Sequence, residues 1–202
     1  MWFFENTRVL GIVFLLVGFL MLISGIIYIA ATFVDLDLII PSGIQDPKKF
    51  WLVTGIGMTV AALIYILFAH WVMIGKITDK LDIVATYVTM VGITTCISSV
   101  AEGIAEYVGG GSSDLALAII IVSLIIGLIV TVIGTKINNG KKGRLKKALR
   151  WILIIAFTLM LIGAFSPAYS LLDLLSQIEH LILAIFLLII MFDVDVKIRM
   201  GA

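Results

Sequence analysis

The residues with the clearest chemical potential are two glutamates inside a long apolar segment. Glu102 and Glu106 lie four residues apart, so on a helix they are neighbours on one face. Two carboxylates this close repel each other unless a cation, a proton or a basic group lies between them. Ionisable groups within a membrane are costly, and by default they mark a pathway or a binding site. The pair therefore predicts a site for a cation or a proton.

Polar residues precede this pair on the same predicted helix. Thr95, Ser98 and Ser99 recur with Glu102 and Glu106 at helical spacing, which makes one face polar from the middle of the segment to its end. A polar face of this length is not expected to contact lipid. We predict that it lines a route or cavity between helices.

Glu179 and His180 form a second polar group near the start of the last apolar segment. If they converge with the first pair, three carboxylates and one imidazole would suit a divalent cation or a proton relay. The candidate metal ligands are Glu102, Glu106, Glu179 and His180. Asp114 and Asp173 would then form an acidic vestibule that concentrates cations. No other cofactor is indicated.

Composition identifies the structure that must position these groups. The chain has 202 residues, of which 62% are hydrophobic and 13% charged, whereas soluble domains carry about 25% charged residues. We predict an all-α, polytopic membrane helix bundle that forms one transmembrane domain over residues 1–202. No soluble domain fits between the apolar segments, which argues against soluble catalysis and nucleic-acid binding. Six spans are expected because a bilayer core needs about 20 apolar residues per helix. They are Val9–Val34, Trp51–Gly75, Ile83–Tyr107, Leu115–Thr135, Leu149–Ser170 and Ser176–Phe192.

The last two spans leave an alternative open. They share one apolar stretch that is interrupted by Ser166-Pro167 and by the polar residues around Asp173. Five spans with a re-entrant end would also fit this pattern. We prefer six, because a single helix from Leu149 to Phe192 would be far longer than a bilayer requires.

The basic residues predict the orientation. Twelve of the fourteen fall on one side of the six-span topology, and Lys48 and Lys49 fall on the other. Because Lys and Arg concentrate in cytoplasmic loops, we expect both termini in the cytoplasm and an acidic outer face. A multi-pass protein of the cell membrane is the expected localisation.

Half of the basic residues lie in one segment, residues 136–150, which we predict to be a cytoplasmic loop. Such a loop can contact anionic lipid headgroups, at about 1 kcal/mol per basic residue near the surface. The candidate lipid-binding residues are Lys141, Lys142, Arg144, Lys146 and Lys147. The simpler interpretation is a topogenic signal with no further role.

Small residues recur on three of the predicted spans. Gly11, Gly18 and Gly25 follow one another at intervals of seven, and Gly92 and Gly127 belong to similar faces of the third and fourth spans. Small residues allow membrane helices to approach closely. We expect these faces to pack inside the bundle, with homo-oligomer formation as the alternative.

Several enzyme classes have no signature in the sequence. Cys96 is the only cysteine, and neither an HExxH nor a GxSxG element is present, which argues against disulfides, zinc proteases and serine hydrolases. The preferred hypothesis is a small transporter or channel, linked to cations or protons, that uses the carboxylates of the third span. The alternative is a membrane protein that binds a partner protein or lipid through its glycine-rich faces and basic loop. An intramembrane enzyme that uses Glu and His as acid and base has the least support.

Overall fold

A computed structural model describes residues 6–34, 38, 43–138 and 144–201. Within these ranges the chain is entirely helical apart from turns. The seven described helices are α1 (Thr7–Ala30), α2 (Pro47–Met73), α3 (Lys80–Val108), α4 (Ser113–Asn138), α5 (Arg144–Gly163), α6 (Leu171–Phe192) and α7 (Val194–Arg199).

Five of these helices, α1, α2, α3, α4 and α6, are long and apolar enough to cross a membrane. The remaining long helix, α5, begins with basic residues, and its apolar part from Trp151 to Gly163 spans about 20 Å at 1.5 Å per residue. A bilayer core is about 30 Å thick. The structure therefore supports a multi-pass helical membrane protein in which five of the described helices qualify as spans by length and composition.

The last two long helices have boundaries different from the predicted ones. The spans were expected at 149–170 and 176–192, but α5 ends at Gly163 and α6 begins at Leu171. Pro167 lies in the turn between them, where it cannot interrupt a helix. Ser170 caps α6, because its Oγ accepts a hydrogen bond from the Asp173 amide at 3.1 Å. The polar residues around Asp173 therefore lie inside a helix instead of breaking one.

Glycines hold α1 against α2 along most of their length. A Cβ atom at Gly11, Gly18 or Gly25 would lie within 2.5–2.8 Å of side-chain atoms of Met73, Ile66 and Thr59, respectively. The partner number falls by seven as the glycine number rises by seven, so the two helices are antiparallel. These contacts confirm the predicted internal packing of the first glycine stripe.

Glycines also allow α3 and α4 to pack closely together. A Cβ atom at Gly92 would lie 2.5 Å from the Thr131 amide nitrogen, and one at Gly127 would lie 2.5 Å from Cys96 Sγ. These helices are again antiparallel. Helices α5 and α6 form the third antiparallel pair, since the Nε and Nη2 groups of buried Arg150 donate to the Met191 carbonyl at 3.3 and 3.2 Å.

The bundle consequently has two chemically different ends. We define the acidic end as the one where α1, α3 and α5 finish, which carries Asp46, Asp114 and Asp173. We define the basic end as the opposite one, with Arg8, Lys147 and Arg199 among its cations. The buried core lies toward the basic end, where Phe14 contacts Phe68 and Tyr87 with ring centroids 4.8 and 5.7 Å apart.

Two ion pairs fasten the basic end, and we call them the clasp. Asp79 caps the start of α3 and pairs with Arg199 of α7, while Asp193 caps the start of α7 and pairs with Lys80 of α3. Each aspartate thus stabilises its own helix and holds the other one. Burial raises the pKa of Asp193, but the hydrogen bonds from Lys80 and the Asp195 amide outweigh it and hold that pKa below its ordinary value.

Candidate functional site

A cavity of about 360 Å³ lies among α1, α2, α3 and α6, in the half of the bundle nearer the acidic end. It reaches from the first turns of α6 to Ser98, near the middle of α3. Its wall combines acidic, hydroxyl and apolar side chains. The lining residues are Met21, Ser24, Tyr28, Thr54, Met58, Ala61, Ser98, Glu102, Leu172, Asp173, Ser176 and Glu179.

Two glutamates from separate helices lie in this wall. Glu102 is six residues from the end of α3, and Glu179 is eight residues from the start of α6, so they lie about 9 and 12 Å from the acidic end at 1.5 Å per residue. Glu179 therefore lies about two turns inside α6, deeper than its predicted position near the start of the last span, because α6 begins at Leu171. The structure places both carboxylates on one cavity at similar depth.

Some polar atoms of the cavity wall have unused hydrogen-bonding capacity. Four buried side-chain atoms in the described residues lack a hydrogen-bond partner, and two of them, Thr54 Oγ1 and Glu179 Oε1, belong to cavity-lining residues. A buried polar atom without a partner costs about 1–3 kcal/mol. Glu102 remains exposed, whereas Glu179 is half-buried. The cavity thus offers acceptors to a ligand that carries donors or positive charge.

Glu106, the other half of the pair predicted on α3, does not line this cavity. Its side chain is buried at 6% exposure beneath the turn that follows α3, where its carboxylate lies against Gly111. The Gly111 amide donates to the Glu106 carbonyl at 2.9 Å, and the Gly109 carbonyl accepts from the amides of Gln45 and Asp46. Glu106 therefore packs against the α3–α4 turn and is not among the residues that line the cavity.

Of the three hydroxyl residues in the predicted stripe, one lines the cavity and two do not. Ser98 lines the cavity. Ser99 is buried, and its Oγ donates to the Thr95 carbonyl one turn earlier at 2.6 Å, a bond that serves its own helix. Thr95 is half-buried and is not among the lining residues. The stripe therefore contributes only Ser98 and Glu102 to the cavity.

His180 faces a second, more open cavity of about 530 Å³ between the end of α5 and the start of α6. Its Nδ1 lies 3.3 Å from Ser176 Oγ. Asp173 and Ser176 line both cavities, but Glu179 and His180 line different ones. In the described ranges, no group of three or more His, Cys, Asp and Glu residues is arranged to hold a metal ion. Of the four candidate metal ligands, Glu102 and Glu179 are the two that line the same cavity.

The predicted basic loop is largely helical in its described part. Lys136 belongs to α4, and Arg144 begins α5, while Lys141 and Lys142 lie outside the described residues. Lys146 is buried at 8% exposure, and Lys147 is exposed. Among the candidate lipid-binding residues with described side chains, Lys147 is therefore the accessible one.

The sequence reasoning missed the contributions of α1 and α2. Ser24 and Tyr28 of α1 and Thr54 of α2 line the cavity, although each is an isolated polar residue in an apolar helix. Thr54 follows Trp51 by three residues and carries no charge, so its position had no distinguishing signal.

Comparisons with protein families, curated proteins and solved structures found no match for this chain.

Proposed function

We propose that this protein is a small membrane transporter or channel, linked to cations or protons, whose binding site is the cavity among α1, α2, α3 and α6. One observation carries the proposal: Glu102 and Glu179, from helices far apart in sequence, line the same cavity within apolar helices. Intramembrane carboxylates typically mark ion pathways, because their cost is tolerated where they bind something. The working pair is then Glu102 with Glu179, in place of Glu102 with Glu106.

The proposal includes a topology of six crossings. Helix α5 would be the sixth span, with its amino-terminal lysines and arginines reaching to the headgroup region along their flexible stems. Both termini would then lie on the basic side, which is the cytoplasmic side by the positive-inside rule. In a cell membrane the cavity would face outward, and the aromatic core around Phe14 would separate it from the cytoplasm.

The described contacts leave less support for the other two functions. Gly11, Gly18 and Gly25 pack inside the bundle, so this glycine stripe is not free for a partner. Glu179 and His180 line different cavities, so these two side chains offer little support for an acid–base pair.

Proteoliposome flux under an imposed proton or divalent-cation gradient tests the proposal. We expect Glu102→Gln and Glu179→Gln each to reduce flux at least tenfold, because each removes a charge that the cation or proton requires. Glu106→Gln is the matched control on α3 and should retain flux within about threefold. Glu179→Gln should unfold at no lower temperature than the unsubstituted protein, because it removes a half-buried charge.

The opposite pattern would contradict the proposal. Full flux in both cavity variants would remove the carboxylates from the pathway, and a selective loss in Glu106→Gln would return the site to the pair on α3. No flux in the unsubstituted protein under either gradient would remove the support for transport.

A further inference from the structure

We infer that the cavity binds a small organic cation whose positively charged nitrogen lies between Glu102 and Glu179. This inference rests on the proposed function and names the class of ligand that the same site takes. It is drawn from the charge, the size and the mixed chemistry of the cavity wall.

The charge of the wall favours a cation. Among the described residues, those that line the cavity include Glu102, Asp173 and Glu179 but no lysine, arginine or histidine. By contrast, Asp46 at the acidic end forms an ion pair with Lys49, whose Nζ lies 2.9 Å from Asp46 Oδ2. An anionic or neutral ligand would leave the half-buried carboxylate of Glu179 without a counter-charge, and burying an unpaired charge is costly.

The size and geometry of the wall argue against a bare metal ion. A divalent ion such as Ca²⁺ takes six to eight oxygen ligands at about 2.3–2.6 Å. The two glutamates lie on different helices of a cavity of about 360 Å³, and the described residues contain no cluster of three acidic, histidine or cysteine ligands. The volume falls instead in the range of small-molecule pockets, about 300–1,000 Å³.

The apolar part of the wall supplies what an organic cation needs and a metal ion does not. Met21, Met58, Ala61 and Leu172 present carbon and thioether surface to the cavity, and methionine adapts to irregular ligands. Tyr28 adds an aromatic ring, which attracts ammonium groups through its π face. Thr54 Oγ1, buried without a partner, can accept a hydrogen bond from an N–H or O–H group of the ligand. Carboxylates, one aromatic ring and apolar surface together match an ammonium group on a short carbon body.

Calorimetric titration of the full chain in mild detergent tests the inference with defined probes. The cationic probes are methylammonium, tetraethylammonium and choline, and 3,3-dimethyl-1-butanol is the uncharged molecule with the shape of choline. MgCl₂ and NaCl are titrated at the same ionic strength. We expect saturable binding of at least one ammonium probe and at least tenfold weaker binding of the uncharged alcohol than of choline.

The variants locate the binding. Glu102→Gln and Glu179→Gln should each weaken ammonium binding at least tenfold, while Glu106→Gln should change it less than twofold. Thr54→Val, which keeps the side-chain shape, provides a milder test and should weaken choline binding two- to fivefold through the lost hydrogen-bond acceptor.

Three outcomes would overturn the inference: equal binding of choline and its uncharged analogue, binding unaffected by both glutamine variants, or no binding of any ammonium probe at millimolar concentration. Proton or metal-ion flux that depends on Glu102 and Glu179 but occurs without ammonium binding would overturn the organic cation and leave the proposed transport function intact. Absence of both flux and ammonium binding would overturn both.

Discussion

The carboxylates of the clasp and those of the cavity are the same chemical group in opposite surroundings. Asp79 and Asp193 each accept backbone hydrogen bonds at a helix start and each pair with a cation of another helix. Glu102 and Glu179 line a cavity whose described wall contains no basic residue, and one Glu179 oxygen is buried without a partner.

The two sets of carboxylates differ in whether the fold supplies them with a counter-charge. A carboxylate that has both a cap and a counter-charge has little capacity left for a ligand, so it stabilises the fold. A carboxylate that the fold leaves without a counter-charge destabilises the empty protein and gains most when a cation arrives. The clasp therefore links α3 to α7 at the basic end, and the cavity carboxylates nearer the acidic end lack a basic residue in the described wall.

The largest effect is expected when a cationic side chain is introduced into the cavity wall. Ser98 lies one helical turn before Glu102 and lines the cavity, so a lysine there can pair with Glu102 at the i, i+4 spacing. We expect Ser98→Lys to weaken ammonium binding at least tenfold in the calorimetric titration. Ser98→Met, of similar length and without charge, is the control and should have the smaller effect. Unchanged binding in Ser98→Lys would mean that Glu102 does not hold the cation.

A smaller effect is expected when the clasp loses a cap. Asp79 Oδ1 accepts hydrogen bonds from the Leu81 and Asp82 amides at 2.8 and 3.2 Å. We expect Asp79→Ala to lower the free energy of unfolding by about 1–2 kcal/mol, because it loses both the cap and a half-exposed ion pair worth about 0–1 kcal/mol.

Asp79→Asn separates these two contributions. Asparagine is as good a cap as aspartate, so this variant should lose less than about 1 kcal/mol, measured by equilibrium unfolding in mixed micelles. Equal losses in the alanine and asparagine variants would show that the charge, and not the cap, stabilises this end. Ammonium binding should be retained by both variants, since the clasp lies away from the cavity.

The smallest effect is a dependence of stability on pH that belongs to Asp193. Its pKa is lower in the folded protein than its ordinary value, which is about 3.9 for an unfolded chain. A lowered pKa contributes stability above pH 4 that is lost as the pH falls through the folded value.

The unfolding temperature should therefore fall between about pH 5 and pH 3, and the fall should be shallower in Asp193→Asn. Lys80→Met should flatten the same interval, because it removes the partner that lowers the pKa. A curve as steep in both variants as in the unsubstituted protein would assign the acid sensitivity to other groups.

The sequence predicted the helical membrane class and the first four spans well, because these depend on apolar length. The span predicted at 115–135 corresponds to α4 at Ser113–Asn138. The end of α5 and the start of α6 were predicted less accurately, since Asp173 and the residues after it were interpreted as an interruption. In the structure Ser170 and Asp173 form a helix start, and local capping outweighs the polarity of the side chains.

The candidate site was predicted in part. Three of the predicted site residues line the cavity: Ser98, Glu102 and Glu179. Three other residues of the predicted stripe do not line it: Thr95, Ser99 and Glu106. At 100° per residue, five polar residues occupy a helix face broad enough to contact more than one neighbouring segment of the structure. Periodicity could not distinguish the part of that face that meets the cavity from the part that packs under the α3–α4 turn.

Some properties depend only on a chain segment and its solvent, and these could be predicted from the sequence: the helical membrane class, the unequal distribution of basic charge and the small-residue faces that allow close packing. The tertiary structure decided which charged groups meet. Periodicity sets the direction of a side chain about its own helix axis, but it does not select the helix on the other side. That choice follows from the packing of α1 on α2 and of α3 on α4, and from the position of α6 beside α1 and α3. It places Glu179 on the same cavity as Glu102 and gives Asp79 and Asp193 their cations.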